Sequence, residues 1–188
     1  MLIAAMMVAT LSANAQMFVK PMVGGTLSTL TSVDHAKFRP GIVAGGEFGY
    51  FIADNFAATA GALVSMQGCN YDFKGYDTAY STLTYLNIPV LANYYIIPGL
   101  AVKAGIQPGF LLSYKYKTEY EGHKVEVTDK DGLKTLDLSI PIGLSYEFSD
   151  FVIDARYNLG LTGINDDDHG DNPKNSVIML TVGYKIPF

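Results

Sequence analysis

The stretch LDLSIPIGLSYEFSDFVIDARYNLGL, Leu136 to Leu161, decides how the chain folds. Leu136, Leu138, Ile140, Ile142, Leu144, Tyr146 and Phe148 take every second position, with Asp137, Ser139, Pro141, Gly143, Ser145 and Glu147 between them. After Ser149-Asp150 the alternation restarts. Phe151, Ile153, Ala155, Tyr157, Leu159 and Leu161 fall on one parity and Asp154, Arg156 and Asn158 on the other. A period of two puts successive side chains on opposite faces of an extended strand. Two such runs across a two-residue break predict an antiparallel hairpin with one fatty face and one polar face.

The same alternation runs through the rest of the chain. In LAVKAGIQPGFLLSYKY, Leu100, Val102, Ala104, Ile106, Pro108, Phe110, Leu112, Tyr114 and Tyr116 oppose Lys103, Gly105, Gln107, Gly109, Ser113 and Lys115. Near the C-terminus Ile178, Leu180, Val182, Tyr184, Ile186 and Phe188 oppose Thr181, Gly183 and Lys185. Eight strands are expected, at about 17–30, 38–52, 56–69, 80–97, 100–116, 134–148, 151–162 and 176–188. No segment sustains the 3.6-residue period of a helix. Ala53-Asp54-Asn55, Pro98-Gly99 and Ser149-Asp150 are minimal turns, and longer connections at roughly 31–37, 70–79, 117–133 and 163–175 alternate with them. An even number of strands with loop lengths sorted by side matches an outer-membrane barrel, short turns in the periplasm and long loops outside.

Alternation alone fits two opposite solids. A soluble barrel points its apolar parity inward, and a membrane barrel points it outward. Three features favour the membrane form. The apolar parity is bulky and the polar parity rich in Gly, Ser, Thr and Asn, which suits the narrow interior of eight strands. The polar parity carries both signs of charge, Lys20, Glu47, Lys103, Glu147, Asp154, Arg156 and Lys185, which a closed interior can pair. Aromatic residues bracket both ends. Tyr50, Phe51, Phe56, Tyr94, Tyr95, Phe148, Phe151 and Phe188 lie near the short turns, and Phe38, Tyr80, Tyr114 and Tyr116 near the long loops. The expected fold is therefore all-β, a closed antiparallel eight-stranded up-and-down transmembrane β-barrel.

The bulk composition agrees. Charged residues make up 16% of the 188, below the ~25% of an ordinary soluble protein. A net charge of −5 argues against a nucleic-acid partner, which calls for a basic face. The single cysteine, Cys69, excludes an internal disulfide and a multi-cysteine zinc cluster. The opening MLIAAMMVATLSANAQ is an apolar run ending in Ala13-Asn14-Ala15, the pattern of a cleaved export signal, although a basic first segment is missing. Residues 1–15 are thus expected to be a signal peptide and 16–188 the barrel domain.

Three stretches carry a resemblance to a known family: YLNIPVLANYY (85–95), GLAVKAGIQPGFLLSYK (99–115) and IGLSYEFSDFVIDARYNLGLTGI (142–164). The chain resembles the PorT-type outer-membrane β-barrel family over most of residues 16–188. The resemblance implies a small eight-stranded barrel in a Gram-negative outer membrane. The founding member of that family is associated with protein secretion across this membrane.

Chemistry-bearing constellations are sparse. His35, His123 and His169 all fall in expected external loops, and none sits on a strand beside a serine. A lipid hydrolase at the rim would need a histidine, a serine and a carboxylate to meet there. Asp166, Asp167, Asp168 and Asp171 crowd one loop; Asp166, Asp168 and Asp171 are weak calcium candidates, because the bidentate glutamate of an EF-hand loop is absent. The loop 117–134 alternates weakly, as a mere strand extension would, or as a projecting hairpin with Asp131-Gly132 near its turn whose edge could recruit a partner by strand addition. The expectation is a non-catalytic, monomeric outer-membrane protein without cofactor. Both its ends lie in the periplasm, membrane lipids surround it, and its external loops form a protein-interaction surface. The alternatives are a soluble secreted lipocalin-like barrel for an apolar ligand and the rim hydrolase.

Overall fold

The computed structural model describes residues 16–31, 36–71, 78–120, 123–128, 132–165 and 172–188. Twelve strand segments form one antiparallel sheet: β1 (Met17–Leu30), β2 (Ala36–Lys37), β3 (Arg39–Ala53), β4 (Phe56–Tyr71), β5 (Thr78–Asn87), β6 (Val90–Ile97), β7 (Leu100–Tyr120), β8 (His123–Val127), β9 (Leu136–Phe148), β10 (Phe151–Gly163), β11 (Lys174–Tyr184) and β12 (Ile186–Pro187). They assemble into eight staves. β2 continues into β3, β5 into β6 and β11 into β12, and β8 is an extra strand folded back on β7. The ring closes where β1 pairs β11 from Met22↔Gly183 to Leu30↔Asn175, and β12 at Phe18↔Pro187. The proposed signal segment, residues 1–15, lies outside the described residues.

The break between β5 and β6 falls at Ile88-Pro89. Proline has no N–H for the ladder. The stave stays aligned because Ile88 N donates to the Pro108 carbonyl at 2.8 Å and Gly61 N to the Pro89 carbonyl at 3.0 Å. The short turns are two residues each, Asp54-Asn55, Pro98-Gly99 and Ser149-Asp150. Gly99 takes φ 85° and Ser149 φ 53°, left-handed conformations that a tight reversal demands and that a side chain tolerates poorly.

The apolar parity faces outward on every stave. Leu180 is 57% exposed, Ile142 55% and Ile153 51%, while Asp154, next to Ile153 in the chain, and Arg156 are 1% and 2% exposed. A soluble barrel would reverse this assignment. Exposed Val23, Ile42, Val64, Val90, Ile106, Leu144, Ile178 and their neighbours form a continuous fatty wall, far beyond the patch a water-soluble surface carries. Such a wall is the lipid-facing band of a membrane barrel. Among the described residues no helix is long and apolar enough to cross a membrane.

The lumen is filled in layers. Just above the ionic residues lies an apolar layer of Met22, Val43, Leu63 and Met179. Toward the long-loop end a polar net follows. Asp137 accepts from Thr162 Oγ1 at 2.7 Å and Asn175 Nδ2 at 3.0 Å, and Asn175 Nδ2 also reaches the Tyr85 hydroxyl at 3.3 Å. Leu30, Cys69 and Ile164 pack on one side of that end, and Leu83, Tyr85 and Leu111 on another.

Two expectations need correction. A β-bulge between Thr84 and Tyr85, opposite Leu111 to Ser113, shifts the register of β7 by one residue. Beyond it Tyr114 turns inward and packs on the Leu83–Tyr85–Leu111 cluster, while Lys115 turns outward and is exposed. Tyr116 likewise stands opposite Ser81, which is 1% exposed and faces the lumen. Tyr114 and Tyr116 therefore leave the outer aromatic band. The second correction concerns the projecting hairpin. Tyr120 pairs with His123, so β7 and β8 are joined across 121–122, and Gly132, at φ 82°, sits in a separate turn, while Asp131 lies outside the described residues.

Candidate functional site

The side chains that could do work lie in three places: a charge cluster in the lumen, a floor at the short-turn end, and the hairpin beyond the long-loop end. Lys20 on β1, Glu47 on β3, Lys103 on β7, and Asp154 and Arg156 on β10 converge from the inward parity, each 5% exposed or less. The Arg156 fork grips Asp154, Nε to Oδ1 at 2.6 Å and Nη2 to Oδ2 at 2.8 Å. Its Nη1 reaches Glu47 Oε1 at 2.6 Å. Lys20 Nζ sits 2.9 Å from Glu47 Oε2 and 3.5 Å from Asp154 Oδ2. Lys103 donates to the same Asp154 oxygen. Three cations thus surround two carboxylates in a dry interior, where an unpaired charge is costly.

The backbone makes room for these long side chains with glycine. Gly61 stands opposite Glu47, and a Cβ there would meet Glu47 Cγ at 2.7 Å. Gly143 stands opposite both Lys103 and Arg156, and its Cβ would sit 3.0 Å from Arg156 Cγ. A Cβ on Gly183 would meet Lys20 Cγ at 2.9 Å. Small residues across from large charged ones are what let the cluster span the bore.

Glu147 and Lys185 lie lower, at the floor. Lys185 Nζ donates to Glu147 Oε2 at 2.7 Å, and the Tyr95 hydroxyl donates to Oε1 at 2.6 Å. The ammonium rests 4.7 Å from the ring centres of both Phe18 and Phe51 and 5.6 Å from that of Tyr95. A cation over aromatic faces gains roughly 0.5–2 kcal/mol per contact, more as it is desolvated. Phe51 and Tyr95 thus turn inward as parts of a lid, a correction to their expected place in the lipid-facing band. Tyr50, Tyr94, Phe148 and Phe151 remain outside. Floor and cluster lie in series along the bore at the short-turn end.

At the opposite end β8 pairs only with β7 among the described residues, from Tyr116↔Val127 to Tyr120↔His123. Its second edge has no strand partner among the described residues and is a template for another strand. Asp166, Asp168 and Asp171, the calcium candidates, lie outside the described residues, as do His35 and His169. His123 opens β8. Among the described residues no three His, Cys, Asp or Glu side chains come together as a metal site. The Asp137–Asn175–Tyr85 net was missed from the sequence. Its one signal is Asp137 on the inward parity, a carboxylate left out of the charge list.

The family described as outer membrane protein beta-barrel domain matches residues 8–166. No curated protein matches the chain. Among solved structures, the chain is similar to Ail, the attachment invasion locus protein of Yersinia pestis, at 17% identity and a TM-score of 0.53, covering 90% of this chain and 98% of that one. The same Yersinia pestis protein in complex with the heparin analogue sucrose octasulfate gives 16% identity and a TM-score of 0.55, covering 91% and 99%. Neisserial surface protein A gives 14% identity and a TM-score of 0.50, covering 94% and 100%. At these identities the likeness is one of fold.

Proposed function

The chain belongs to the outer membrane protein β-barrel domain family, and on that premise we propose that it is a non-catalytic anchor presenting its long-loop end to a protein partner outside the cell. In this reading residues 1–15 direct export, both ends of the mature chain face the periplasm, and the protein is a monomer. The finer kinship with PorT-type barrels belongs to the same reading. The observation that carries it is the filled lumen. Paired charges and a cation-capped floor leave the barrel unsuited to pass solutes, so the surface left for a specific task is what projects from the barrel. The β7–β8 hairpin is the best-defined projection, and its open edge suits recognition by strand addition.

The test has two arms. An epitope placed within 117–133 should be reached by antibody on intact cells, while one after Phe188 should need permeabilised cells. A chain with 121–127 replaced by a two-residue turn should still migrate as a folded barrel on unboiled gels, yet lose the protein that a photoreactive residue at Glu119, kept in both chains, cross-links in the full-length one. Stable ion conductance in planar bilayers, or an unchanged cross-linked partner in the shortened chain, would overturn the proposal.

A further inference from the structure

The register of four neighbouring staves places one row of residues on the outer wall near the long-loop end. Lys37 stands opposite Asn70, Asn70 opposite Tyr80, and Tyr80 opposite Lys117. Directly opposed residues project from the same face. That face is the outer one, because the adjacent row, Cys69 opposite Ser81, is 0% and 1% exposed inside the lumen. Lys115, opposite Thr82, is one step nearer the membrane on the same face, diagonal to Tyr80 by roughly 7–8 Å. Arg39 joins the group from the other parity: its backbone opposes Ser28, which is 1% exposed, but its side chain reaches Asn70 and Tyr80. Its guanidinium lies 4.0 Å over the Tyr80 ring and donates to Asn70 Oδ1 at 3.2 Å.

The height of this group is set by the fatty wall beneath it. On β7 the outward apolar run ends with Ile106, Phe110 and Leu112, which are 56%, 42% and 48% exposed. Lys115 follows three residues later, about 10 Å of chain and less along the barrel axis once strand tilt is included. Phe38, 55% exposed, lies beside Arg39 in the chain. Aromatic rings and cations side by side just above the hydrocarbon mark the headgroup level. Glu119 and Glu126 take register positions beside and above Lys117, so the cationic centre of the patch is Arg39 with Lys115, flanked by Lys37.

We propose that this patch binds the phosphorylated headgroup of a glycolipid in the outer leaflet, its acyl chains lying along the apolar wall below. The guanidinium supplies a planar fork suited to phosphate, held in place by the Tyr80 ring, and Lys115 supplies a point charge at the diagonal position. The bulge at Thr84–Tyr85 is what brings Lys115 out of the lumen and into this patch. The inference rests on the orientation proposed above, with the long-loop end outside.

The experiment uses the full mature chain refolded in detergent, with bisphosphorylated lipid A and the same lipid stripped of phosphate as probes. Bound lipid is counted by native mass spectrometry. The wild type is expected to retain the bisphosphorylated lipid and not the stripped one. One charge near a lipid surface is worth about fivefold in affinity, so Arg39→Gln with Lys115→Gln should weaken binding about 25-fold. Lys115→Gln alone, an exposed change, guards against misfolding and should cost about fivefold. Lys134→Gln with Lys174→Gln, basic residues on another part of the rim, should leave binding unchanged. Equal binding of the stripped lipid, equal loss in the Lys134/Lys174 control, or displacement by millimolar inorganic phosphate would overturn the lipid site. The binding arm is independent of orientation. If binding holds but the epitope in 117–133 is reached only from the periplasm, the orientation fails and the phosphate-reading patch stands.

Discussion

Replacing Asp154 with asparagine should be the most damaging isosteric change in the barrel. Asp154 neutralises Lys103, accepts two hydrogen bonds from Arg156 and lies within 3.5 Å of Lys20. Without its charge the three cations share only Glu47, and all four groups stay in an interior where no residue of the cluster is more than 5% exposed. Breaking a buried ion pair by removing one partner costs about 3–5 kcal/mol, most of it from the charge left behind. The assay is equilibrium unfolding in urea of barrels refolded into phospholipid vesicles, read by the gel shift between folded and heated protein. Asp154→Asn should lose about 3–5 kcal/mol. Lys103→Met added to it removes the surplus cation and should restore about 1–3 kcal/mol, the coupling typical of groups in one network. Glu147→Gln, at the half-wet floor where its side chain is 17% exposed, should cost about 1 kcal/mol. A loss under 1 kcal/mol for Asp154→Asn, or a double variant no better than the sum of the singles, would refute the account of a closed ionic cluster.

Other changes probe separate parts of the structure. Gly143→Ala puts a methyl 3.0 Å from Arg156 Cγ and against the Ala155 carbonyl, and should cost about 1–3 kcal/mol in the same unfolding assay. Ile153→Arg turns a charge toward hydrocarbon and should cost about 2–4 kcal/mol in vesicles; a neutral result would mean that this face meets water. Ser149→Gly relieves a left-handed φ of 53° in a two-residue turn and should raise stability by about 0.5–1 kcal/mol. Tyr114→Ala empties a site packed on Leu83, Tyr85 and Leu111 and should cost about 2–4 kcal/mol, whereas Lys115→Ala should stay within ±0.5 kcal/mol.

Stave number, short turns and outward parity were legible because each rests on a period-two pattern that a single displaced charge would break. Asp154 and Arg156 flank Ala155, so their strand has only one register compatible with a fatty outer wall. Ambiguity arose wherever two large residues adjoin. Leu111-Leu112 satisfies either parity, so the bulge that turns Tyr114 inward leaves no trace in the pattern. Tyr50-Phe51 and Tyr94-Tyr95 likewise place one ring on each face, and strict alternation, not affinity of rings for headgroups, would have assigned Phe51 and Tyr95 to the floor. Which carboxylate meets which cation was not readable at all. That depends on the stagger between strands far apart in the chain, a property of the closed ring.

The ionic contacts also bear on how the barrel is made. Lys20 and Asp154 are 134 positions apart, and Lys103 and Asp154 are 51 apart. No contiguous stretch of nascent polypeptide can satisfy these groups by itself. Until the first and last staves join, Lys20 lacks Asp154 and Glu47 lacks Arg156, and shedding their water early would be uphill. Assembly should therefore proceed as a single concerted step at the bilayer, with half-built intermediates held in aqueous surroundings by whatever escorts the chain.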